Sequence, residues 1–96
     1  MKISRTVRDK YMELCPVSTN KCDTYEEIEY KIKRAVFLGK ISKTYPYREV
    51  QYFNLRFIIN KNNTYEVIDM IKNDEYFEVP EYRKDNYDRI YDKVIV

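Results

Sequence analysis

Ninety-six residues, 44% apolar and 35% charged with a net charge of +2, suit one small globular domain; two would each be too small to bury a core without metals or disulfides. No apolar run approaches the roughly 18 residues that span a bilayer, and Met1 to Val17 lacks the apolar stretch of a secretory signal, so a soluble, intracellular chain is expected, with no membrane partner. There is no histidine and a single glycine. The first removes the usual acid–base group, nucleophile partner and metal ligand, and the second excludes glycine-rich phosphate cradles.

The small net charge hides an asymmetry. Residues 1–61 hold 13 Lys and Arg against 7 Asp and Glu, and residues 62–96 hold 5 against 9. Such a division can steer a partner of either sign or bring the two parts face to face. Ile, Lys, Asn and Tyr are plentiful, and their codons are AT-rich, which fits a low-GC bacterium or its phages.

In chain order, Ile3, Val7, Tyr11 and Leu14 fall at helical intervals, so Ser4 to Cys15 reads as a helix capped by Ser4 and ended before Pro16. Arg5 and Arg8 point the same way from it. They extend a basic patch if the helix packs beside a strand, and otherwise form a solvated face. Cys15 and Cys22 are expected as reduced thiols, and two thiols without histidine cannot complete a zinc site.

The phrase DTYEEIEYKIKRAVFLG predicts a helix over 25–38. Thr24 and Glu27 form a capping box, Ile28, Ile32, Ala35 and Val36 make the apolar stripe, and Gly39 suits a left-handed C′ position. Lys40 to Thr44 is expected as a short strand. Phe53, Leu55, Phe57 and Ile59 alternate with Asn54, Arg56 and Ile58, predicting a half-buried central strand from Glu49 to Ile59 with Phe53, Leu55 and Phe57 in the core. NKNN follows as a turn.

Next, TYEVIDMIKND (64–74) echoes TYEEIEYKIKR (24–34). A second capped helix is expected, opened by Thr64, with Val67, Ile68 and Ile71 on one stripe. A strand reading of Tyr65, Val67, Asp69 and Ile71 also alternates, but it places Asp69 on the apolar face. The echo is better explained by shared capping chemistry than by duplication. Tyr76 to Val79 is expected as a strand stopped by Pro80. Asp85 then caps a last helix carrying Tyr87, Ile90, Tyr91, Val94 and Ile95, although KVIV also suits a strand.

The expected architecture is therefore α+β, about three short helices packed on a small antiparallel sheet. Catalysis is not expected. Glu26, Glu27 and Glu29 lie on an exposed helix face where pairing such as Glu29 with Lys33 is routine, and Glu75, Glu78, Glu81, Asp85 and Asp88 show no metal-loop spacing. No cofactor or metal is implied.

The informative stretch is KISKTYPYREVQYFNLRF, in which Lys40, Lys43, Arg48 and Arg56 interleave with Tyr45, Tyr47 and Tyr52. Tyrosine and arginine are enriched at protein interfaces, and 11 tyrosines are too many for so small an interior. The expected function is non-catalytic binding, by a regulator or inhibitor of phage or mobile-element type that docks on a larger protein or nucleoprotein complex through these residues. The alternative is single-stranded nucleic-acid binding by the same patch, since bases stack on aromatic rings while cations track phosphates.

Overall fold

The computed structural model describes residues 1–60 and 65–91. In chain order the elements are β1 (Lys2–Ile3), α1 (Arg5–Leu14), α2 (Pro16–Asn20), α3 (Tyr25–Leu38), β2 (Lys40–Lys43), β3 (Arg48–Asn60), β4 (Glu66–Phe77) and α4 (Glu81–Tyr91). The arrangement is α+β. One sheet has the order β1-β4-β3-β2, antiparallel except for the parallel β1–β4 pair. α1 packs on β4 and α3, α3 packs on β3, and α4 rests on α3.

α1 forms as its spacing predicts. Ser4 Oγ accepts a hydrogen bond from Val7 N at 3.2 Å, and Val7 and Tyr11 enter the core. The helix stops at Leu14 because the residue before a proline avoids the helical region. Pro16 then opens the short α2, its missing N–H costing nothing at a helix start. Tyr11 Oη and Ser18 Oγ lie 2.8 Å apart, tying the two helices together. Burial pushes the Tyr11 phenol up to about 12, with the Ser18 bond opposing it.

α3 follows its capping chemistry with one change. Thr24 Oγ1 accepts from Glu27 N at 3.2 Å, but the Glu27 carboxylate accepts from Asp23 N, one residue before the cap. Ile28, Ile32, Ala35 and Leu38 are buried. Gly39 is not left-handed: its φ is −72° and its ψ 173°. Glycine is needed here for space, because a Cβ would stand 2.5 Å from Val50 Cγ1, 2.7 Å from Gln51 O and 2.9 Å from Ala35 O. The helix end and the start of β3 approach too closely for any side chain.

β3 holds the interior position expected of it, with a break in its alternation. Phe53 has φ 52°, in the left-handed region, which costs a non-glycine residue roughly 1–2 kcal/mol. Val50 is buried before this point, and Leu55, Phe57 and Ile59 after it, so the inward positions switch from even to odd numbers at Phe53. Phe53 itself is only half-buried, not a core residue as the simple alternation predicts. Its ring lies edge-on to Tyr52 and Tyr76 at 4.8 and 5.5 Å between centroids.

The second copy of the repeated phrase is a strand, not a helix. Val67 pairs with Ile59 and Met70 with Phe57, so three steps along β4 match two along β3. The extra residue is a β-bulge, which puts both Val67 and Met70 in the core. The objection to a strand disappears with it, because Asp69 pairs with Ile58 instead of facing inward. Asp69 Oδ1 accepts from Met70 N at 2.8 Å and from the Lys10 ammonium of α1. Thr64, the expected cap, lies outside the described residues, as do Val94 and Ile95.

The strand expected at Tyr76–Val79 is the last part of β4, through Phe77, followed by buried Val79 outside it. α4 starts directly after Pro80, whose carbonyl accepts from Arg83 N at 3.1 Å; Asp85 is inside the helix and does not cap it. No residue of α4 is buried. Its hold on α3 is polar and aromatic: Asp88 accepts from Arg34 Nη1 and Tyr30 Oη, both at 2.7 Å, and Tyr87 packs against Phe37 and Tyr30. Burial first, then the bond to Asp88, raise the Tyr30 phenol well above its ordinary value.

Candidate binding surfaces

The β2–β3 hairpin presents the expected aromatic residues to the outside. Tyr45 is 81% exposed and Tyr47 43%, with Lys40 and Lys43 exposed on β2 beside them. β2 is the sheet edge on this side and is short with a lysine at each end, a composition that discourages strand addition by another chain.

Arg48 and Arg56 do not share a face. Arg48 precedes the Phe53 switch and has the inward parity of Val50; its guanidinium lies over the Tyr65 ring at 5.4 Å. Arg56 follows the switch and lies opposite in parity to Leu55 and Phe57. It bonds to Gln51 Oε1 at 3.1 Å and pairs with Glu49 at 3.4 Å and Glu75 at 2.5 Å. Gln51, 3% exposed, completes this network by donating to Asn73 Oδ1 and to the carbonyls of Phe53 and Glu75. Arg56 neutralises two carboxylates within the fold, so little of its charge is left for a partner.

Tyr52 also leaves the expected patch. It has the inward parity of Val50, packs partly against the core, and has its phenol raised by burial. The structure thus keeps Tyr45 and Tyr47 beside Arg48, but Lys40 and Lys43 pair in register with Gln51 and Glu49 and so lie on the Arg56 side of the hairpin, while Tyr52 packs against the core. Arg8 does not extend the patch either, since it pairs with Glu29 at 3.6 Å and covers the Tyr25 ring at 4.1 Å. Glu29 accordingly serves a contact between helices, not the expected Lys33 pairing.

Beside the hairpin lies a depression of about 680 Å³. Val36, Ile41, Val50 and Ile59 supply apolar walls, Phe37 and Tyr65 the aromatic rim, and Lys2 and Arg48 the charge. No carboxylate lines it among the described residues. Phe37 is 62% exposed. Sequence reasoning passed over it although it falls off the Ile28–Ile32–Ala35 stripe of α3, which is the signal that could have found it. Tyr65 was hidden by the reading of its segment as a helix.

Among the described residues there is no cluster of three or more His, Cys, Asp or Glu side chains suited to a metal ion. Cys15 and Cys22 are free, and burial raises both thiols, which keeps them protonated and weakly nucleophilic. No described helix is long and apolar enough to cross a membrane. No protein-family model, curated protein or solved structure matches the chain.

Proposed function

We propose that this chain is a non-catalytic binding protein, a small regulator or inhibitor that docks on a larger protein or nucleoprotein complex beside the β2–β3 hairpin. The reading rests on one observation: an apolar depression rimmed by Phe37, Tyr65 and Arg48, with no carboxylate in its described wall, adjoins exposed Tyr45 and Tyr47. Its occupant is an acidic protein segment that carries an apolar anchor. Burying one Leu- or Phe-sized side chain there contributes about 1.5–3 kcal/mol, whereas each exposed ion pair at the rim contributes about 0–1 kcal/mol. The anchor therefore sets affinity, and Lys2 and Arg48 steer the approach.

The same cations and aromatic rings suit single-stranded nucleic acid, and salt separates the two readings. Phosphate contacts lose affinity steeply as salt rises, while an apolar anchor does not. A photo-crosslinking residue at Phe37 or Tyr45, with Tyr82 as control, is activated in producing cells, and the captured partner is then bound in vitro at about 50 and 300 mM salt. We expect a protein adduct from positions 37 and 45 but not 82, lost with Ile41→Asp and little changed by salt. Oligonucleotide binding that collapses at the higher salt would replace the first reading with the second, and equal capture from all three positions would remove both.

A further inference from the structure

A second cleft, of about 670 Å³, opens where the α1–α2 corner, α3, the middle of β3, β4 and the first turn of α4 meet. Its wall carries five cations, Lys21, Lys31, Arg34, Lys72 and Lys84, against one carboxylate, Glu81. Here Arg34 is held by Asp88 and Lys84 by Glu81 at 3.2 Å. Lys21, Lys31 and Lys72 come from three separate segments, and their ammonium groups make no ion pair or hydrogen bond among the described residues.

Like charges converging on one hollow repel each other, and a multiply charged anion relieves that repulsion. Another part of the wall is aromatic and apolar: half-buried Tyr52, braced edge-on by Phe53, stands beside Leu55. The volume lies in the range of about 300–1,000 Å³ typical of small-molecule sites.

We propose that this cleft binds a small molecule bearing several phosphate charges and a planar ring, the class of a nucleoside polyphosphate. The lysine ammonium groups act as point charges for the phosphates, and the ring lies against Tyr52. The site is separate from the hairpin surface, so either can fail without the other.

Calorimetric titration of the whole chain at low salt with ATP, inorganic tripolyphosphate and adenosine tests this. ATP is expected to bind, adenosine not measurably, and tripolyphosphate about tenfold more weakly than ATP, the difference being the stacked ring. Lys31→Glu with Lys72→Glu should weaken ATP binding about tenfold or more, and Lys31→Met with Lys72→Met, which adds no repulsion, should weaken it in the same direction. Lys40→Glu with Lys43→Glu should leave it unchanged. Thermal melting confirms that each variant folds. No binding of ATP, or equal loss in the Lys40/Lys43 variant, would overturn the site, and tripolyphosphate binding as tightly as ATP would overturn its planar half.

Discussion

Segments 24–34 and 64–74 begin with the same three residues, Thr-Tyr-Glu, and share an isoleucine at the fifth position, yet the first becomes α3 while the described part of the second becomes β4. Position 27 is glutamate and position 67 is valine. Glu27 accepts a backbone hydrogen bond at the start of α3, a local contact that favours a helix in isolation. Val67 has nothing comparable to offer a helix start and lies fully buried between β1 and β3. Burying Val67 and Met70 contributes about 1.5–3 kcal/mol each, more than the few tenths of a kcal/mol per residue that separate helical preferences. Where local signals are weak, the neighbouring strand decides.

The largest effect expected from this contrast comes from giving the second copy the residue of the first. Val67→Glu places an unpaired carboxylate in the core and should cost about 3–5 kcal/mol or unfold the chain, as read by urea denaturation. It should not raise the helical circular-dichroism signal. A gain of helix with little loss of stability would mean that position 67 alone selects the conformation.

Thr24→Ala tests the helical copy. Loss of the hydroxyl that accepts from Glu27 N should cost about 1 kcal/mol, with faster amide exchange in the first turn of α3. An unchanged melting curve would show that packing of Ile28 and Ile32, not the cap, holds this end.

The smallest effect belongs to Asp69, the residue that the bulge turns away from the core. Hydrogen bonding to Lys10 leads the influences that hold its carboxyl below the ordinary 3.8, with burial opposing. A lowered folded value means that the pair stabilises the fold above about pH 4, and that this is lost as pH falls through the lowered value. Both side chains are about 40% exposed, so the contribution is under about 1 kcal/mol. Asp69→Asn should remove it at neutral pH and flatten stability between about pH 4 and 2. An unaltered acid profile would assign no stabilisation to the pair.

Much of the fold was legible because its signals act over four residues or fewer. The caps at Ser4 and Thr24, the stop before Pro16, the stripes of α1 and α3 and the alternation of Leu55, Phe57 and Ile59 each concern near neighbours in the chain. The hairpin portion of the proposed surface was legible for the same reason, since Tyr45 and Tyr47 flank Pro46 in a turn. The placement of Arg48, Tyr52 and Arg56 was not, because a single left-handed residue at Phe53 reverses which side chains face inward. Nothing in the type of that residue announces it, phenylalanine being a poor candidate for such a backbone.

From the sequence alone came the α+β composition, α1, α3 and β3 close to their observed limits, and the loss of histidine chemistry. Tertiary structure decided that the second copy extends as a strand, that Arg48 and Arg56 part company, and that lysines from distant segments gather at one cleft. The reason is reach. Caps and periodicity are settled by a residue's nearest neighbours, whereas a strand's register, bulges and facing depend on hydrogen bonds to another strand that the local sequence cannot see.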